Sequence, residues 1–472
     1  MDEKSGRAAD NIFPNLHRAK MAFMKHKKKL KPVLFLIFND LLHEIQMESK
    51  KPIAVSRWYR LIPVVFITYS LAYLDRANFG FGAAGGMASD LHITSTISSL
   101  MGSLFFLGYF FFQIPGTIYA SNKSAKKLIF WSLILWGLFA MATGLISNVK
   151  VLLVIRFMLG VFESAVFPSM LVLISRWFTR EERSRANTLL MFGNPVTILW
   201  MSIISGYLIR ALGWRWMFIW EGIPAILWSF FWWKLVNDKP GEAVWLNTDE
   251  KKALADLLQK EQQIIKPVKN YATAFKSKLV ILLCLLYLLW SFGIYGFVIW
   301  LPSILHAAPG IGIVKTGWLS AVPYLISIIA MIIVSFFSDR SLNRKIYIWP
   351  CFLLGSLAFY CLYLVGLNHF WLTFSLLSLA GVTMYVPYGP FFAHITEILP
   401  SNIAGGAIAL INSFGALGAF GGSYLVGYLN GKTGDSAASY LVMAGSLLLS
   451  SIAGMIAVKE PRNMVSISKT ML

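Results

Sequence analysis

Twelve apolar runs, each close to the length that crosses a bilayer, recur along this 472-residue chain and leave it few other ways to fold. They lie near 61–83, 98–120, 128–147, 150–174, 187–210, 216–236, 279–301, 314–337, 347–366, 371–398, 404–428 and 438–458. A crossing needs about 20 mostly apolar residues. In hydrocarbon every backbone N–H and C=O must find its partner within the chain, which leaves helices or closed barrels. Runs of this length specify helices. Composition agrees: 57% of residues are hydrophobic and 14% charged, against roughly a quarter charged in soluble domains. A soluble protein of this size lacks the interior to hide that much apolar surface. The expected fold class is an all-α membrane protein of twelve transmembrane helices in two six-helix halves.

Loop charges set the expected orientation. Lys123, Lys126 and Lys127, then Arg176, Arg180, Arg183 and Arg185, the Lys-rich 238–278 segment, and Arg340, Arg344 and Lys345 fall in alternate loops. The intervening loops are short and carry few cations, such as Lys150, Lys315 and Lys432. Cationic loops stay cytoplasmic, so both termini and the central loop are expected there. The net charge of +20 is spread through these loops and not gathered on one face, which argues against a nucleic-acid partner. Cys284, Cys351 and Cys361 all fall in apolar runs and read as small hydrophobes.

The division expected is a basic tail over 1–57, a first half over 58–237, a linker over 238–278, a second half over 279–460 and a short tail over 461–472. The run from His26 to Lys29, followed by Val33–Phe38, mimics a signal peptide without a cleavage site. Two readings remain for it: a cytoplasmic tail, or a start placed too early with Met47 as the true beginning. Within the linker, Thr248 followed by Asp249 and Glu250 starts an amphipathic pattern that runs to Gln263. A weak internal repeat also shows: Pro168 precedes Phe192-Gly193 by the spacing at which Pro390 precedes Phe414-Gly415, as duplicated transporter folds would give.

Four ionisable residues sit where hydrocarbon is expected: Asp75 and Arg76 in span one, Arg156 and Glu163 in span four. Each costs about 2.5–3.5 kcal/mol at a helix centre, against a net stability of about 5–15 kcal/mol for a whole domain. They must pair or face water. Arg156 and Glu163 lie two turns apart on one helical face, and the four charges cancel. A static ion-pair staple is one reading. It is weakened because buried pairs often stabilise no better than apolar residues of similar volume. The other reading is that the acids titrate while a permanently charged arginine holds an anion. Glu221, after Trp214-Arg215-Trp216, reads as an interfacial partner of Arg215. His394 in span ten reads as a packed histidine or a residue of coupling or specificity. Asn194 and Asn412 are amides in apolar helices, fit for interhelical hydrogen bonds or for a hydroxylated ligand. Pro387, Gly389 and Pro390 should break span ten. No nucleotide-binding loop, catalytic triad or metal-ligand spacing occurs, so no enzyme activity, metal or cofactor is expected.

These residues resemble the anion:cation symporter branch of the major facilitator superfamily. Leu74-Asp75-Arg76-Ala77-Asn78 resembles its first-helix motif. Arg156 through Glu163, followed by Phe167-Pro168, resembles its fourth-helix motif. Trp177-Phe178 with Glu182-Arg183, Trp214-Arg215-Trp216 with Glu221-Gly222, and Ser338-Asp339-Arg340 are similar to further motifs. The resemblance covers residues 58 to about 460 and is nearest to bacterial sugar-acid carriers of the galactonate type, with shared stretches at 108–113, 193–202, 317–324 and 388–393.

The resemblance implies the major facilitator fold, alternating access, a bacterial inner membrane and a monomer that imports a small organic anion, with a proton as the coupling ion. It implies Asp75 and Glu163 as protonation sites, Arg76 as the carboxylate clamp, and Arg156 as the ion-pair partner that gates Glu163. It further implies Tyr73, Tyr109, Asn194 and Asn412 as pocket residues, with Phe392 standing where some relatives have tryptophan. Ser121-Asn122-Lys123-Ser124 departs from the superfamily's acid-bearing loop motif, which puts the gating role of that loop in doubt. The alternatives are a carrier of hexuronates, tartrate-like diacids or another small carboxylate, an anion exchanger, and a membrane sensor that has lost transport.

Overall fold

The computed structural model describes residues 56–264, 278–341, 343–366, 369–398 and 401–458. The basic tail before Ser56, with Met47, and the 461–472 tail lie outside the described residues. Among the described residues the structure is helical, with no strand.

Twelve helical spans follow one another among these residues. In the first half they are α1 (Ser56–Gly82), α2 (Ser95–Asn122), α3 (Ala125–Leu145), α4 (Val149–Glu163, resuming at Val166–Trp177), α5 (Gly193–Leu212) and α6 (Trp214–Leu235). A helix over Arg180–Met191 leads into α5, and a linker helix over Thr248–Ile264 follows α6. The second half holds α7 (Lys278–His306), α8 (Ile313–Ser341), α9 (Trp349–Val365), α10 (Phe370–Tyr385, resuming at Tyr388–Ile398), α11 (Ser401–Thr433) and α12 (Ala437–Ala457).

Nine of the described helices are long and apolar enough to cross a membrane by length and composition. The other three spans are α1, α6 and α11. Two of these owe their polarity to visible sources: Arg57, Arg60, Asp75 and Arg76 in α1, and six tryptophans with three charges in α6. The bundle is apolar outside and polar within. Trp131, Phe230, Ile329 and Leu364 are more than half exposed on its flanks, while Ser99, Thr143, Gln113 and Ser202 are buried. That inversion suits a hydrocarbon solvent.

Local chemistry explains the ends and breaks. Thr94, Ser124 and Asn148 accept backbone N–H bonds at the starts of α2, α3 and α4. Proline at position 168 cannot donate to the preceding turn, and α4 is interrupted just before it, at Ser164–Ala165. The expected break in span ten falls at Val386–Pro387. The three cysteines carry free thiols.

Glycines set how closely the site's helices approach. A Cβ built on Gly160 of α4 would lie 1.9 Å from the Phe105 carbonyl oxygen of α2, and one on Gly108 would lie 2.2 Å from the Phe157 carbonyl oxygen. Only hydrogen fits at either place. The two halves are brought together by α2 against α11 and α5 against α8. This cross-half packing is tight at the end of the bundle remote from the linker, where Ser95 of α2 meets Gly431 of α11.

Candidate transport site

The buried charges come from helices that the glycine contacts hold at close range. Asp75, Arg76, Arg156 and Glu163 are each 6% exposed or less. Their pairing differs from the sequence expectation. Arg156 does not hold Glu163; Arg76 does, across from α1 to α4. Its Nε donates to Glu163 Oε1 at 2.5 Å, and Nη2 stands 2.5 Å from the same oxygen. Glu163 Oε2 has no partner. Two turns of α4 separate Arg156 from Glu163, about 11 Å along the axis, and Arg76 arrives nearer from the neighbouring helix. Arg156 instead points its Nε at the Met101 carbonyl, 3.3 Å away, and lies over the Phe79 ring at 4.8 Å. Asp75 and Arg76 are adjacent, so their side chains diverge by about 100° around the helix. Arg76 faces the centre of the molecule, and Asp75 turns toward Asn78, whose amide donates to it at 3.3 Å.

Between the halves lies a cavity whose wall is mostly aromatic. Arg76 reaches it from α1, its guanidinium stacked on Tyr73 at 4.8 Å and Tyr109 at 4.6 Å. A guanidinium has five N–H donors, and Glu163 engages only Nε and Nη2, so donors remain for an anion in the cavity. Tyr73, Tyr109 and Asn412 also line it, as the resemblance implied. Asn194 and Phe392 do not. Asn194 accepts from Tyr385 Oη at 3.4 Å across the halves, and Phe392 packs edge-on against Tyr287 and stacks on Tyr388, behind the wall. His394 is buried with Nε2 unpartnered, and the cavity wall does not include it.

Four tyrosines of the wall were not singled out in the sequence: Tyr69, Tyr287, Tyr295 and Tyr388. A signal existed. Tyr69, Tyr73 and Arg76 follow helical spacing on one face of α1, and Tyr287, Ser291 and Tyr295 do the same on α7. The two stripes meet where Tyr73 Oη and Tyr295 Oη share a hydrogen bond of 3.0 Å. Gln113 Oε1 and Ser413 Oγ make a second cross-half bond at 3.2 Å.

Two more expectations are corrected nearer the ends of the bundle. Glu221 is not paired with Arg215. It is 4% exposed and accepts from Ser205 Oγ at 2.6 Å, whereas Arg215 pairs with Asp90 at 3.1 Å and stacks on Trp214. Glu221, seven residues past the start of α6, points inward, and Arg215 at its mouth points out. At the linker end the acid missing from Ser121–Ser124 comes from elsewhere. Asp238, just past α6, accepts from the Ser124 hydroxyl, from the Lys126 backbone N–H at 3.1 Å and from Arg176 at 3.4 Å. Beside it Arg57 forms a buried two-point pair with Glu182 and donates to the Trp177 carbonyl at 2.8 Å. Burial by itself would raise the Glu182 carboxyl, but the Arg57 guanidinium and the Thr179 donors outweigh it and hold the group below the usual carboxylate range.

The Major Facilitator Superfamily profile matches residues 65–423, and again 309–469. The chain belongs to the major facilitator superfamily. Its relatives are transporters, not enzymes. A quinolone resistance transporter of Acinetobacter baumannii is 31% identical over 86% of this chain and 96% of its own length. A protein of Agrobacterium vitis named for tartrate transport is 30% identical over 84% of this chain and 88% of its own. One of Escherichia coli named for galactarate and D-glucarate is 25% identical over 82% and 94%. The crystal structure of a D-xylose-proton symporter shares the fold, with a TM-score of 0.68 at 13% identity over 85% of this chain and 98% of that one. This superfamily member is therefore a multi-pass membrane protein, with its charged cluster in the first half and its aromatic cavity between the halves.

Proposed function

We propose that this transporter is a proton-coupled symporter that imports a small organic anion of the sugar-acid type. One observation carries the reading: a guanidinium on the wall of the central cavity is held from behind by a buried carboxylate whose second oxygen has no partner. An arriving carboxylate competes with Glu163 for Arg76. Glu163 released from its ion pair in a dry site takes up a proton, so anion and proton bind together. In this scheme Arg76 clamps the substrate, Glu163 and Asp75 carry protons, and Arg156 neutralises Asp75. The tyrosine hydroxyls and Asn412 meet substrate hydroxyls, while ring faces pack on the sugar's C–H edges. The names of relatives for tartrate, galactarate and hexuronate support an acid of this size. The galactonate type is the reading that the sequence resemblance favours. The cationic loops support a cytoplasmic linker in a bacterial inner membrane, and the protein is taken to act as a monomer.

A second reading is a planar aromatic carboxylate. The aromatic wall around Arg76 favours it, as does the similarity to a quinolone resistance protein. Uptake into proteoliposomes separates the two. Under an inward proton gradient, labelled galactonate should accumulate, and tartrate and hexuronate should compete. Competition by aromatic acids alone would favour the second reading. Accumulation driven by an anion or sodium gradient but not by protons would remove proton symport.

A further inference from the structure

The buried cluster contains a fifth charge that the scheme above does not use. Glu221 of α6 is 4% exposed, and of its two oxygens only Oε1 has a hydrogen-bond partner, the Ser205 hydroxyl of α5 at 2.6 Å. Toward α1 it faces the side-chain amide of Asn78, which is 1% exposed and donates to Asp75 Oδ1 at 3.3 Å. Asp75 Oδ2, Asn78 Oδ1 and Glu221 Oε2 are all buried without a partner. Three orphaned acceptors in one place lack a hydrogen to share. Buried polar atoms are normally satisfied, and each failure is destabilising.

Charge counting gives the same answer. Arg76 and Arg156 bring two guanidinium groups, while Asp75, Glu163 and Glu221 bring three carboxyls, all nearly or fully buried. An uncompensated charge in such a place is strongly destabilising. With both arginines cationic, the cluster is neutral only when one carboxyl carries a proton. Glu163 is engaged by Arg76, and Asp75 lies within the field of Arg156. Glu221 has no cation beside it. Of the elements packed on it, α1 presents Asp75 and α5 presents Ser205. On α3 the charged side chains are Lys126 and Lys127 at the linker end, and Asp90 and Arg215 pair with each other at the remote end.

We infer that Glu221 is a third proton-holding site, sharing one resident proton with Asp75 beside the Asn78 amide. The inference rests on the proton-coupled reading above. The resting cluster then holds one proton, and a substrate carboxylate at Arg76 calls for a second to keep the cluster neutral. Each carboxylate charge imported thus brings one further proton. Neither Asp75 nor Glu221 lines the cavity, so the resident proton is held apart from the substrate.

The test is the pH dependence of uptake by the full-length transporter in proteoliposomes, with labelled galactonate as probe. Glu221→Gln removes the like charge facing Asp75, which then lets its proton go at lower pH. The pH of half-maximal uptake should fall by about one unit, the scale of coupling between sites that share a proton. Glu221→Asp, which keeps a carboxyl, should stay near wild type. An unmoved midpoint in Glu221→Gln overturns the inference and leaves Glu221 as a hydrogen-bond acceptor for Ser205. If the Gln variant does not fold, the infrared spectrum of the wild-type protein decides. A protonated-carboxyl band at neutral pH is expected, and its absence overturns the inference. A wild-type protein indifferent to the proton gradient, yet carrying that band, removes the coupling reading and leaves the protonated cluster.

Discussion

Replacing Glu163 by Gln separates coupling from binding. The ion pair with Arg76 is buried on both sides, with side chains 7% and 0% exposed. Removing one partner of such a pair costs about 3–5 kcal/mol. Gln keeps an oxygen where Arg76 Nε donates, and a hydrogen bond to a charged group restores about 1.5–3 kcal/mol. The net loss of about 1–3 kcal/mol leaves the domain folded, given stabilities of about 5–15 kcal/mol. What the amide cannot do is exchange a proton. A proton moving down a gradient of one pH unit supplies about 1.36 kcal/mol, tenfold in concentration ratio. Wild type in proteoliposomes with an interior one unit more alkaline should therefore accumulate substrate about tenfold per coupled proton. Glu163→Gln should equilibrate substrate without accumulating it, while counterflow exchange at equal pH persists. Undiminished accumulation would refute the assignment of Glu163 as a coupling group. Equal loss of accumulation and counterflow would return it to a structural role.

Arg76→Lys should weaken substrate binding far more than it lowers expression, because a point ammonium cannot reproduce the two-point fork that a guanidinium offers a carboxylate. Competition binding checks it, and unchanged affinity counts against the clamp. Gly160→Ala forces α2 and α4 apart at a contact with no room for a methyl group, an overpacking worth about 1–3 kcal/mol; a melting curve in detergent should show the loss, and an unchanged midpoint would contradict the packing. Glu182 is depressed below its ordinary value, so its contribution is present above the unfolded value of about 4.3 and is lost as pH falls through the lower folded value. Wild type should accordingly melt above Glu182→Gln near pH 7, with the difference closing below about pH 4. A constant difference across that range would mean that the pair does not titrate with folding.

How much could be read in advance depended on range. The spans and the misplaced charges are local: an apolar run commits its own residues to a helix, and Asp75, Arg76, Arg156 and Glu163 stand out within their own segments. The break in span ten, expected from its prolines, follows from a missing backbone donor; the one before Pro168 has the same cause but falls inside a span that reads as continuous over 150–174. Partnership was not local. The spacing of Arg156 and Glu163 suggested a pair within α4, but a cation on α1 approached closer than one two turns away. Glu221 lies six residues after Arg215 and proved to face α1 and α5, because six residues carry the chain more than one and a half turns around α6 and leave the two side chains on different faces. The missing acid of the first loop was invisible for the same reason: Asp238 is more than a hundred residues downstream of Ser124.

Hydropathy and loop charge alone thus settle that this chain crosses a membrane many times, and that its interior carries charges in need of partners. These conclusions follow from the free energy of single residues in hydrocarbon, which does not depend on what lies across the bundle. Only the packed helices decide that Arg76 holds Glu163, that Tyr73 meets Tyr295 between the halves, and that a fifth charge makes the cluster one proton short of neutral. Those depend on which faces the glycine contacts bring together, a property of helix pairs that no single segment encodes.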